Sequence, residues 1–134
     1  DTLRQAMACG GLNPEDVDLV SAHATATPAN DGAECRAIRT ALGPAADRVS
    51  VTASKGQFGH CLGAAAAVGA AVAVLALRHQ VVSPTLRLQD PDPACDLDCT
   101  ANVARDRTVR AALVNAFAFG GNNGCLALRR WEGR

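Results

Sequence analysis

The sequence predicts an α/β fold, a layered domain built on a mixed sheet, and three observations carry that reading. A short apolar run, a polar loop and a helical pattern follow one another twice in the first 80 residues. Two further apolar runs flank a glycine- and asparagine-rich turn near the C-terminus, the pattern of a β-hairpin. The composition is 49% hydrophobic but only 3% aromatic, and alanine dominates the apolar share, which favours closely packed helices over bulky cores.

Taken in order, Thr2–Cys9 reads as the end of a helix stopped by Gly10-Gly11, and with little upstream to cap it the chain is expected to begin inside a larger protein. Asn13-Pro14-Glu15-Asp16 is a turn, and Val17–Ala22 suits a buried strand that ends at His23. The stretch Asn30–Leu42 places Ala33, Ala37, Ile38 and Ala41 at helical spacing and closes on Gly43-Pro44. Asp31 and Glu34 fall in its first turn, where the helix dipole favours acids. Val49–Thr52 is a second short strand, Ala53–Gly59 a polar loop, and His60 is expected to open an alanine-rich helix running to about His79. The residues after Pro84, rich in proline and aspartate, form an irregular connection. Arg110–Phe119 and Cys125–Trp131 are the two arms of the hairpin.

With 134 residues the chain has room for one domain, or for part of one. Thirteen basic and thirteen acidic residues cancel, and no basic run is present, so nucleic acid is not an expected partner. No basic start followed by an apolar run marks a signal peptide, which leads us to expect a cytoplasmic location. The uncharged segment Cys61–Leu77 is expected to be a buried helix rather than a membrane span, because it falls short of the ~20 strongly apolar residues a span needs. Six scattered cysteines without a CxxC pair suggest neither a disulfide framework nor a metal site.

Polar residues gather where the strands end, and α/β proteins place their sites there. The three segments are His23-Ala24-Thr25-Ala26-Thr27-Pro28-Ala29-Asn30-Asp31, Lys55-Gly56-Gln57-Phe58-Gly59-His60-Cys61-Leu62-Gly63-Ala64-Ala65, and Asn115-Ala116-Phe117-Ala118-Phe119-Gly120-Gly121-Asn122-Asn123. In that order they resemble the β-ketoacyl synthase signatures HGTGTxxxD, KxxxGHxxGAAG and NxFGFGGxN. The stretch from Leu77 to Leu86 resembles the family's LRxxxxPPTxN segment.

The resemblance implies the C-terminal half of the thiolase-like fold and a decarboxylative Claisen condensation on acyl carrier protein. It implies no cofactor and no metal, the substrates being carried on phosphopantetheine. His23 and His60 would be paired N–H donors to the enolate left by loss of carbon dioxide, and Lys55 would organise charge beside His60. Thr25 and Thr27 would bind the phosphopantetheine arm. Phe119 would gate the acyl pocket and lend its backbone N–H to an oxyanion hole, while Gly120 and Gly121 would let the backbone turn close to the site.

Departures from the family pattern are Ala24 and Ala26 in the first motif, Ala66 and Ala118 in place of glycines, and Gly69 where the family has a glutamate that pairs with the lysine. The family's nucleophilic cysteine lies far upstream of the first histidine, and none of the six cysteines here has its strand-to-helix context. The expected partners are therefore an N-terminal half supplying that cysteine, acyl carrier protein, and a second subunit in a homo- or heterodimer. The alternative is a non-catalytic partner similar to a chain-length factor.

Overall fold

The computed structural model describes residues 2–133. Four strands form the main sheet in the order β2-β1-β5-β6, with β1 at Leu19–Ser21, β2 at Ser50–Thr52, β5 at Ala111–Phe117 and β6 at Asn123–Arg129. Strand β1 runs parallel to both β2 and β5, and β6 returns antiparallel to β5, so the sheet is mixed as expected. The remaining two strands, β3 (Val81–Val82) and β4 (Arg105–Asp106), form a small antiparallel pair that the sequence reading missed. Strands of two residues carry too little periodicity to be recognised.

Helices cover both faces of the sheet, and the strands show it by alternation. Val20, Val51 and Leu113 point to the face covered by α1 (Thr2–Cys9) and α2 (Asp31–Leu42), where Leu3, Met7, Ile38 and Leu42 complete the core. Leu19, Ala112 and Val114 point the other way, onto Ala73, Ala76 and Leu77 of α4 (Ala65–His79). At Gly69 the helix comes so close that an added Cβ would lie 3.3 Å from the Ser21 hydroxyl and 3.4 Å from a Val114 methyl.

Three helix expectations need correction. The buried stripe of α2 is Glu34, Cys35, Ile38 and Leu42, while Ala33 faces solvent, because the larger side chains claim the core face. Within the Ala53–Gly59 loop, Lys55–Phe58 forms one helical turn, α3. Helix α4 starts at Ala65 rather than His60, because Gly59 and Leu62 adopt positive φ (77° and 46°) and break the backbone between them.

Nor is α4 wholly buried. Gly69, Val72, Ala73, Ala76 and Leu77 pack on the sheet, while Val74 and Leu75 are exposed, as is Leu62 in the turn before the helix. By length and composition Leu62–His79 is long and apolar enough to cross a membrane, contrary to the sequence expectation, yet one face of it is spent on the sheet. The helix ends at Gln80, which is left-handed (φ 59°) and whose side-chain amide donates to the Leu77 and Val109 carbonyls and accepts from the Val109 N–H.

Candidate active site at the parallel strand ends

Strands β1, β2 and β5 are parallel and nearly in register, with Ser21 opposite both Thr52 and Val114, so their C-terminal ends share one edge. The segments that follow them are the three sequence motifs. The fold thus gathers at one place residues far apart in the chain. The rings of His23 and His60 lie with centroids 5.8 Å apart at an interplanar angle of 86°, edge to face. Phe117 at the end of β5 also packs against the His23 ring, with centroids 5.6 Å apart.

The His23 loop is held by α2. The Glu34 carboxylate, 3% exposed, accepts the backbone N–H groups of His23 and Ala24 at 2.8 Å each and the Asn115 amide at 2.9 Å. Asp31 accepts the Ala26 N–H at 3.1 Å. Glu34 is therefore a buried scaffold for the first motif, bonded also to the third, and not merely an acid at a helix dipole. Its position on the same face as Cys35, Ile38 and Leu42 was the sequence signal for this. The loop turns sharply, with Ala24 and Ala26 at φ 39° and 57°, a region alanine rarely adopts. Thr25 and Thr27 follow each other on it with hydroxyl oxygens 3.2 Å apart, and the Thr27 hydroxyl also accepts the Asn30 N–H at 3.2 Å.

Lys55 extends from α3 and donates to the His23 carbonyl. Its ammonium is pushed to lower pKa by burial, with Glu34 and Asp31 opposing. No partner comes from α4, where Gly69 sits on Ser21 and Val114 instead. The Lys55 turn is braced from below. Gln57 donates to the Ser83 hydroxyl at 2.9 Å and the Pro84 carbonyl at 2.6 Å, and the Thr85 hydroxyl accepts the Ala53 N–H at 3.1 Å. A Cβ on Gly56 would lie 3.0 Å from the Leu86 carbonyl oxygen, so this turn rests against the Pro84–Leu86 segment only because the residue is glycine.

His60 itself is exposed, and its Nδ1 accepts the Leu62 N–H at 3.1 Å. That bond requires Nδ1 to be unprotonated, which in the neutral ring leaves the proton on Nε2 as a donor. The pKa of His23 is lowered from its ordinary value chiefly by burial and next by the Lys55 charge, so its ring is neutral at pH 7. A neutral His23 ring still carries one N–H, and with the His60 ring beside it the pair can offer N–H groups to one oxygen.

The third motif closes the edge. Gly120 and Gly121 are left-handed (φ 75° and 79°) in the turn between β5 and β6, while the Phe119 side chain is 99% exposed. Among the described residues no group of three or more His, Cys, Asp and Glu side chains is arranged to hold a metal ion.

An α/β sheet whose parallel strand ends carry a paired-histidine site defines the class, and sequence comparison gives the family. Residues 1–89 match the family described as the β-ketoacyl synthase C-terminal domain, and the chain belongs to it. It is 48% identical to nodulation protein E of Rhizobium sp. (strain N33), over 96% of this chain and 32% of that protein. To 3-oxoacyl-[acyl-carrier-protein] synthase 2 of Coxiella burnetii (strain RSA 493 / Nine Mile phase I) it is 41% identical, over 96% of this chain and 31% of the relative. In three dimensions it superposes on the ishigamide ketosynthase/chain length factor with a TM-score of 0.92 at 38% identity, covering 96% of this chain and 32% of that one. The chain spans about a third of the length of the curated relatives it matches.

Proposed function

We propose that the chain is the C-terminal portion of a β-ketoacyl-[acyl carrier protein] synthase, catalysing decarboxylative condensation of malonyl and acyl thioesters in fatty-acid or polyketide synthesis. The observation that carries this reading is the facing pair of His23 and His60 at the ends of parallel strands. In the proposed reaction the C–C bond to the malonyl carboxylate breaks, carbon dioxide leaves, and the electron pair moves onto the thioester oxygen as an enolate. That oxygen is where His60 Nε2–H and a His23 N–H donate. The carbanion carbon then attacks the acyl thioester, and the acyl-bearing thiolate departs.

Burial together with the Lys55 charge favours the neutral form of His23, which keeps one ring N–H to donate. Lys55 also fixes the His23 main chain through its bond to the carbonyl. Thr25 and Thr27, side by side on the exposed loop, suit hydrogen bonding to a phosphopantetheine arm. The backbone after Phe119 suits the acyl oxyanion hole, with the Phe119 ring free to cover an acyl chain. The substrates arrive on acyl carrier protein, and no other cofactor is needed.

The acyl-bearing cysteine belongs to an N-terminal half, so the segment alone is inactive, and the assembled enzyme is a cytoplasmic homo- or heterodimer. The exposed Val74 and Leu75 of α4, with Leu62 in the turn before it, fit a helix covered by that other half rather than by lipid.

The test is made in the complete protein. His60→Ala should abolish malonyl decarboxylation, with a loss on the order of 10² to 10³ or more, while acyl transfer to the cysteine continues. Thr25→Ala should weaken both half-reactions slightly and equally. Decarboxylation that survives both His60→Ala and His23→Ala would overturn the reading in favour of a non-catalytic partner.

A further inference from the structure

Of the six cysteines, three converge on one cavity beside α2. Cys35 lies on the buried face of α2, and Cys95 and Cys99 lie on the irregular connection that crosses it, packed against the core cluster that contains Cys35. All three line a cavity of about 510 Å³ bounded by α2, the His23–Pro28 loop and the connection.

The connection is laid along α2 in register. Ala94 sits over Gly32, where a Cβ would meet the Ala94 methyl at 3.3 Å. Asp96 is gripped by Arg39, whose Nε donates to both carboxylate oxygens at 2.8 and 2.7 Å and whose second terminal nitrogen donates to the Asp96 carbonyl at 2.9 Å. Between these two contacts the connection carries Cys95 past the turn of α2 that bears Cys35, and both residues line the one cavity. Cys99 lies beyond the Asp96 contact.

We propose that Cys35 and Cys95 form a reversible oxidation site, a dithiol that closes to a disulfide when a low-molecular-weight disulfide enters this cavity. The Cys95 thiolate attacks one sulfur of the small disulfide, whose S–S bond breaks, and the departing thiolate takes up a proton. The Cys35 thiolate then attacks the Cys95 sulfur in the mixed disulfide and expels the second small thiol. Both protein thiols are oxidised by two electrons in total, and the small disulfide is reduced to two thiols.

The order follows from exposure. Cys95 is only partly buried, whereas Cys35 is buried and its thiol is pushed to higher pKa mainly by that burial. Such a thiol is a poor partner in a bimolecular encounter but a competent one when its target is tethered beside it. Closure would pin the connection to α2 one residue from Glu34, the carboxylate that holds the His23 loop.

The purified protein, first reduced, is incubated with oxidised glutathione, alkylated, digested and mapped by mass spectrometry without reduction. The expected product is a linked pair of peptides containing Cys35 and Cys95, reversed by dithiothreitol, retained in Cys99→Ser and lost in Cys95→Ser. The oxidised wild type should also melt at a higher temperature than the reduced form, a difference absent in Cys95→Ser. Because the assignment is read from wild-type peptides, it does not depend on how well a Cys35 variant folds. A link between Cys95 and Cys99, a stable glutathione adduct on Cys95, or Cys35 recovered fully alkylated would each overturn the proposal.

Discussion

The two histidines face each other but are held very differently. The loop that carries His23 is fixed by a buried carboxylate accepting two successive backbone N–H groups, by Asp31 on Ala26, and by Lys55 on the His23 carbonyl. His60 sits in an exposed link between α3 and α4, and among the described residues the hydrogen bond at its ring is the one from the Leu62 N–H, two residues away. One donor is organised by long-range contacts within this chain. The other takes its position from local backbone geometry and from whatever covers it. Folding will tolerate change on the His60 side and not on the His23 side, and this asymmetry can be attacked directly.

The largest expected effect is from Glu34→Ala. It leaves the part-buried His23 and Ala24 N–H groups and the buried Asn115 amide without their acceptor, and an orphaned donor costs about 1–3 kcal/mol when buried and less where solvent reaches it. A total of roughly 3–5 kcal/mol, read as a lower denaturant midpoint at unchanged slope, is expected. The matching change on the other side, His60→Ala, removes an exposed ring and should alter stability by no more than about 0.5 kcal/mol. Similar losses in the two variants would break the comparison.

Much of the fold was legible because each strand of the site ends where an apolar run meets polar residues, as at Ser21-Ala22-His23 and Thr52-Ala53-Ser54. The gathering of the three motifs followed from parallel pairing, which βα units favour. What escaped was of two kinds. The start of α4 was hidden because His60 to Ala64 reads as continuous with the alanines behind it. The break there is a backbone event at Gly59 and Leu62 that side-chain pattern does not announce. The role of Glu34 was hidden because an acid in a first helical turn has an ordinary explanation, and only its place on the buried stripe contradicts it. The bracing of Lys55 by Gln57, Ser83 and Thr85 rests on contacts between separate motifs, which no single segment encodes.

A smaller effect, and of opposite sign, is expected from Ala26→Gly. Ala26 is exposed at φ 57°, where an L side chain crowds its own carbonyl at a cost of about 1–2 kcal/mol, partly offset by the greater freedom glycine has when unfolded. The variant should be more stable by up to ~1 kcal/mol, raising the melting temperature while leaving the Glu34 contacts intact. A loss of stability would mean that the Ala26 methyl has packing value in the cavity it lines, and that the strained turn is held from both sides.

The smallest effect concerns the protonation of His23, and it tests whether the firmly held side of the pair is also electrically tuned. Burial is the first cause of its lowered pKa and the Lys55 charge the second, with Glu34 pulling the other way. An NMR titration of the ring should therefore give a midpoint below 6.5, its ordinary value. The unfolded chain then binds more protons than the folded one as the pH falls below that value. Stability contributed through this group declines between 6.5 and the folded midpoint and is level above 6.5. In Lys55→Met the cationic neighbour is gone while the burial remains, so the midpoint should rise but stay below 6.5. His60→Ala removes a weaker cause, later in rank than Glu34, and should move the midpoint in the same direction by less. If Lys55→Met left the titration of His23 unmoved, the lysine would be a mechanical brace on the loop carbonyl alone, and the neutrality of His23 would rest on burial.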